Sequence, residues 1–368
     1  MALLRDWLDL GRNTFGSLRA DDVTNLYSLE WPETRNILIA DHRSAIERER
    51  RGLRRWTRTL SAIFFGLAKR LAPHRRILFI LSQVAFFICV ISIFTRMKDP
   101  PFWIFVQLTA TFLVMTVLLA MELIDKIKIR DELALARELQ ASLIPARPPQ
   151  VPGYDIAAFN RIANTVGGDI YDFVPLADGR LAVLFGDASG HGMAAGLVMA
   201  VAHAAFRTQL DVDASPAAIT ASLNRILCRT GGSRSFFSCC YLLLTPGGEF
   251  VATVAGHPPM LQIDAGGRVV ERFGRGAYPL GVKTRMDWQE LRGTLLAGHR
   301  LVLHSDGLSE TRNRDGLDLG YDTVESIAGW NAGGSAGGTV ENLVAEWRRF
   351  AGGASVEDDV SIAVIKRV

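Results

Sequence analysis

The chain is expected to be α+β, with an α+β domain preceded by a transmembrane helical hairpin and a linker helix. Two long apolar runs stand close together before residue 125, and a glycine-free stretch of helix formers follows them. Beyond a proline-rich break, short apolar runs end at Gly and Asp, with helical stretches between them. The expected divisions are 1–76, a basic cytoplasmic region; 77–124, the hairpin; 125–145, the linker helix; and 146–368, the α+β domain.

The apolar runs set the frame. Ile77 to Phe94 contains no charged residue and, at about 1.5 Å per residue, nearly crosses a hydrocarbon core. Phe102 to Ile124 carries one charge, Glu122, near its end, and "TRMKDPP" between the runs is long enough only for a turn. Nine Lys or Arg lie in residues 50–76, two in the connecting loop, and three soon after at Lys126, Lys128 and Arg130. That bias predicts that both termini are cytoplasmic. A net charge of +3 with 21% charged residues describes an ordinary mixed surface and gives no reason to expect nucleic acid. Cys89 falls in the first run, and Cys228, Cys239 and Cys240 lack metal-like spacing, so reduced structural thiols are expected.

Before the hairpin, "LLRDWLDLG" and "TLSAIFFGLAKRLA" read as amphipathic helices, the second suited to a membrane surface. After it, Ile129, Leu133, Ala136, Gln140 and Leu143 are spaced 4, 3, 4, 3 until Pro145 stops the helix. Such a row is either the seam of a short coiled coil or an amphipathic face packed on its own domain. In a parallel homodimer through 125–145, Gln140 would face its counterpart.

Within the domain, strand-like runs deliver carboxylates at their ends: Gly186-Asp187, Asp306-Gly307 and Asp358-Asp359. "VGGDIYDF" adds Asp169 and Asp172. Aspartates beside glycine suit hard divalent cations, because carboxylates supply oxygen ligands and glycine lets the chain approach closely. Other chemistries lack their residues: there is no Gly-x-x-x-x-Gly-Lys-Ser/Thr loop, no His-Glu-x-x-His and no Gly-x-Ser-x-Gly elbow.

In order, "VGGDIYDF", "GDASGHGMAAGL", "AGHPPM", "YPLGV", "LHSDGLSET" and "DDVSIAVI" resemble the SpoIIE/RsbU branch of the PPM-type, metal-dependent serine/threonine phosphatases. The likeness covers residue 150 to the C-terminus, and "ELQASLIP" resembles the helix leading into such domains. It implies an α-β-β-α sandwich with two Mn2+ or Mg2+ ions at one end of the sheets. Asp187 would bridge the metals, with the Ala188 carbonyl on the first and Asp169, Asp306 and Asp358 on the second. These four aspartates would carry catalysis. Asp359 stays open as the alternative to Asp358, Asp172 would stand behind the ligands, and Gly168, Gly190 and Gly307 would let the backbone approach.

No protein nucleophile is then required. Ser189 and Ser305 are assigned turn roles, His191 a helix cap and His257 a structural role. The arginine that holds substrate phosphate in the eukaryotic arm has no identifiable counterpart, Arg161 and Arg234 being guesses. The implied function is a membrane-anchored phosphatase acting on phosphoserine or phosphothreonine of a regulatory protein, a STAS-type anti-sigma-factor antagonist. The rival is a catalytically silent module that binds a partner through the same fold. A diguanylate cyclase is third, since it accounts only for the first motif and Phe173 falls one residue too late for it.

The hairpin is testable directly: reporter fusions after residue 98 are expected to report the outside of the membrane and fusions after residue 130 the cytoplasm. Recovery of the whole chain in the soluble fraction without detergent would overturn it.

Overall fold

The structure, a computed structural model, describes residues 53–95, 102–230, 235–274, 276–330, 333–353 and 356–368. The helix expected at "LLRDWLDLG", the turn within "TRMKDPP" and Arg234 lie outside them. The chain divides into two compact units, Met1–Ile127 and Lys128–Val368.

The first unit contains α1 (Leu53–Arg70), α2 (Pro73–Thr95) and the start of α3 (Phe102–Leu143). Both α2 and α3 are long and apolar enough to cross a membrane. α2 begins at Pro73, ahead of the expected Ile77, because proline is well suited to the first turn of a helix. α3 does not break at residue 124. "DKIKIRDELALARELQ" holds neither Gly nor Pro, so nothing ends the helix until just before Pro145.

The second unit is two five-stranded antiparallel sheets between helices. One sheet has the order β1 (Tyr154–Arg161), β10 (Val360–Arg367), β9 (Arg300–His304), β6 (Met260–Ile263), β7 (Val269–Phe273). The other runs β2 (Ile170–Pro175), β3 (Leu181–Ala188), β4 (Phe237–Leu244), β5 (Glu249–Ala255), β8 (Leu291–Thr294).

Alternation along two largely buried strands explains the layers. On β3, Leu181, Val183 and Phe185 face the core between the sheets, against Phe173, Leu242 and Ile365. Ala182 and Leu184 face the other way, onto α4 (Met193–Leu210) and α5 (Pro216–Thr230), where Met199, Phe206 and Leu223 pack. β10 divides likewise: Ala363 and Ile365 point between the sheets. Ile362 and Val364 meet Val324 of α7 (Tyr321–Ala328) and Leu343 and Trp347 of α8 (Ala336–Ala351). A period of two with both faces apolar is what a strand buried on both sides requires. The expected helix–sheet–sheet–helix sandwich is the observed one.

The thiols follow the same alternation. Cys240 enters the core between the sheets and Cys239 faces the helices. Burial pushes the Cys240 thiol up to about 12 and moves Cys239 in the same direction.

Phe185 has no exposed surface and stacks beside Tyr171 between the sheets. Phe185→Ala should therefore destabilise the second unit by about 3–5 kcal/mol, read as a lower urea midpoint for residues 128–368.

Candidate active site

Strand register gathers the aspartates. The β2–β3 pairing of Ile170 with Gly186 continues to Asp169 opposite Asp187. The β10–β9 pairing of Ile362 with His304 continues to Asp359 opposite Gly307, with Asp306 opening the short α6 (Asp306–Ser309). Ser305 locks this second end, since its hydroxyl donates to the Asp359 carbonyl (3.1 Å) and accepts the Ser361 N–H (2.9 Å).

The two ends are joined through Asp359. One carboxylate oxygen accepts the Ala163 N–H (2.8 Å), and the other accepts the Gly168 N–H (2.7 Å). Bonds from N–H groups to a buried carboxylate contribute about 1.5–3 kcal/mol each, so this residue fixes the turn that carries Asp169. Between the two candidates left open, the geometry separates the side chains. Asp359 is spent on backbone, whereas Asp358 accepts only the Asp359 N–H and is otherwise exposed beside Glu310.

Close approach is real at two glycines. A Cβ on Gly168 would stand 2.7 Å from both the Ala188 carbonyl oxygen and an Asp187 carboxylate oxygen. One on Gly307 would stand 2.1 Å from the Asp359 carbonyl. Gly190, with open space around it and a φ of 93°, serves only the turn into α4.

The electrostatics are those of negative charge without a counter-ion. Asp169 is almost fully buried, and its Oδ2 has no hydrogen-bond partner. Burial first, then the charge of Asp187, pushes its carboxyl well above the ordinary range. Asp187 is pushed up to about 8, by burial and then by Asp306, Asp358 and Asp359. Among the described residues, the ion pairs of this unit lie elsewhere and none joins these aspartates to a Lys or Arg. Nor do three His, Cys, Asp or Glu side chains there already stand as a closed cage for an ion. An orphaned oxygen, mutually repelling carboxylates and glycines that open the backbone fit the hard divalent cations these residue types select.

Other expectations divide. Asp172 does not stand behind the ligands. It lies on the helix-facing side of β2 with Ile170, where it accepts from Arg207 Nε (2.7 Å) and Nη2 (3.0 Å) and lies 2.8 Å from His203 Nε2, both residues on α4. Ser189 accepts the Phe236 N–H (2.8 Å), a turn role, and His191 is exposed. His257 is buried with its ring edge-on to Phe185, and burial lowers its pKa to about 4, so it is neutral at pH 7. Arg161 lies over the Trp347 ring, 5.2 Å from its centroid. Beside Asp306 a cleft of about 310 Å³ opens, lined by His257, Pro258, Pro259, Glu310 and Tyr321.

One contact was not foreseen. Gln140, which would face its counterpart if this helix formed a parallel dimer, is buried and grips both backbone groups of a single residue of its own chain. Its amide donates to the Gly167 carbonyl (2.7 Å) and accepts the Gly167 N–H (2.9 Å). Of the two readings of the 4, 3 row, its C-terminal end takes the one in which the helix packs on its own domain. Leu143 joins the core beneath α4.

The two sheets between helices have the fold of PP2C-type phosphatase domains. The chain belongs to the family described as Stage II sporulation protein E (SpoIIE), whose model matches residues 177–368. It is 25% identical over 191 residues to the phosphoserine phosphatase RsbU of Bacillus subtilis, covering 52% of this chain and 57% of that protein. The phosphoserine phosphatase RsbP of the same organism is 24% identical over 190 residues, covering 50% and 47%. The chain thus spans about half the length of the curated relatives it matches. Among solved structures, the SiaA PP2C domain of Pseudomonas aeruginosa superposes with a TM-score of 0.59 at 20% identity, covering 66% of this chain and 98% of that one. The RsbU and RsbW domains of a Mycobacterium tuberculosis protein give 0.52 at 28% identity, covering 61% and 63%.

The raised carboxyl of Asp187 gives a pH dependence of known sign. Its folded pKa of about 8 exceeds the ordinary 3.8, so between those values the native state holds a proton that the unfolded state has released. Without metal, the unit should lose stability as pH rises from about 4 to about 8. Thermal melts in chelator should show that fall, and added manganese should reverse it at the alkaline end.

Proposed function

We propose that the chain is a membrane-anchored protein phosphatase that hydrolyses phosphoserine or phosphothreonine on a regulatory protein of the STAS type. The observation that carries this reading is the buried Asp169 with an orphaned oxygen, set opposite an Asp187 that feels the charges of Asp306 and Asp358, with no basic partner to either among the described residues. Kinship with RsbU and RsbP, named phosphoserine phosphatases, supports the substrate class. A relative in which an RsbU domain accompanies an RsbW domain supports a place in partner switching.

Asp169, Asp187, Asp306 and Asp358, with the Ala188 carbonyl, would hold two divalent cations, manganese or magnesium. Bound there, such ions supply water activation near neutral pH and neutralise charge during in-line attack on the monoester. The chain's own residues set the stage for this. Asp359 and Gln140 hold the 163–169 turn, Ser305 holds the Asp358–Asp359 end, and the cleft beside Asp306 admits the phosphorylated side chain. No side-chain nucleophile is needed, and the Ser305 hydroxyl is engaged with backbone.

The hairpin would anchor the protein in the bacterial inner membrane, with the phosphatase domain and the N-terminus in the cytoplasm. The helix from residue 125 to 145 would couple the two, its Gln140 reaching the turn that carries Asp169. A homodimer through this helix would use its outer face, where Leu135 and Leu139 are exposed.

The test is phosphate release from a phosphoserine-bearing STAS protein by residues 128–368, the fragment that keeps the Gln140 contact, with manganese and then with chelator. Release only with metal is expected; no metal-dependent release would favour the silent binding module. Asp187→Asn should abolish turnover, leaving circular dichroism and substrate binding intact, because a carboxylate that loses its charge would weaken the hold of this centre on a divalent cation. Near-wild-type activity of that variant under saturating manganese would refute Asp187 as the bridge.

A further inference from the structure

Residues 50–76 carry nine Lys or Arg and no Asp or Glu, and α1 occupies most of that stretch. Only Leu71 and Ala72 separate it from α2. Its C-terminal end is fixed to the first unit. Arg76 donates to the carbonyls of Ala68 (2.9 Å), Lys69 (2.9 Å) and Leu71 (3.3 Å), satisfying groups that a helix end leaves open. Phe64 lies 5.3 Å, ring to ring, from Phe79 of α2, and Ala68 is buried with Phe79 and Leu118 of α3.

The depth of that contact can be placed. Arg75 binds Asp125 (2.6 Å) and Glu122 (3.4 Å), an ion-paired group where the apolar runs of α2 and α3 meet their charged ends. Phe79 lies one helical turn further into the apolar run than Arg75, so α1 packs at the boundary between apolar and charged sequence. On its other side Phe65 is 52% exposed, and Arg58, Ser61 and Lys69 are exposed at positions −7, −4 and +4 from it. An aromatic ring set in a basic row, next to an apolar span, is the composition of a helix lying in a bilayer interface.

We propose that α1 is an interfacial helix whose exposed face seats on anionic phospholipid, an inference that rests on reading α2 and α3 as membrane spans. Charge complementarity selects the lipid: a segment with nine cations and no anion is attracted to an acidic leaflet and not to a zwitterionic one. The helix then responds to the anionic lipid content of the membrane that holds the protein.

The test uses the full chain. In a Cys228→Ser background, which leaves the other three cysteines buried, Phe65→Cys carries an environment-sensitive fluorophore. The protein is reconstituted into phosphatidylcholine vesicles with or without phosphatidylglycerol. With phosphatidylglycerol, blue-shifted emission and quenching by lipids spin-labelled near the headgroup are expected; both should weaken in phosphatidylcholine alone and at high salt. Replacing Arg54 and Arg55 with Gln should lower the ratio of embedded to free label about thirtyfold while the chain stays with the vesicles through an alkaline wash. A chain that survives the wash with emission indifferent to lipid charge overturns the interfacial helix alone. Loss of the chain in the wash overturns the membrane spans, and the inference falls with them.

Discussion

Carboxylates gathered at one end of two sheets repel one another, and the arrangement survives because another carboxylate, Asp359, is committed to neutral donors. Its hydrogen bonds to Ala163 and Gly168 join the start of β10 to a turn 191 residues earlier in the chain. Buried charge is tolerated where each lone pair finds an N–H, and here that requirement also sets the spacing of Asp169 from Asp306 and Asp358.

The same turn is held from two further sides. Gln140 closes on both polar groups of Gly167, and the Ala188 N–H donates to the Gly168 carbonyl (3.2 Å). A loop of small residues gains order from partners on a helix, a strand end and the last strand, none of them adjacent in sequence. Beneath it, the pairing of Asp172 with Arg207 and His203 fastens α4 to β2, so the helix that follows the Asp187 loop is anchored independently of any metal.

Much of this was legible in the residues. Strands ending in Gly-Asp or Asp-Gly marked the carboxylates that register brings together, and the apolar runs marked α2 and α3. What escaped reading was side-chain direction. Asp358 and Asp359 are indistinguishable on paper, yet one points to solvent and the other into backbone, because successive residues leading into a strand turn to opposite sides. Asp172 lies three residues beyond Asp169, but the two-residue period of β2 turns it to the helices. Gln140 sat in a heptad-like row, and only the tertiary position of Gly167 decides between a partner helix and its own domain. The second span and the linker form one continuous helix, because a change from apolar to charged residues alters a helix's surroundings without interrupting its hydrogen bonds.

Cys239 and Cys240, back to back on the central strand β4, are held as thiols by burial that raises the pKa of both. Peroxide and electrophiles react with thiolates at accessible positions, and these two offer neither the charge nor the access. Under the proposed mechanism, in which carboxylates rather than sulfur serve the reaction, dephosphorylation would continue under oxidative conditions that silence phosphatases built on a reactive cysteine.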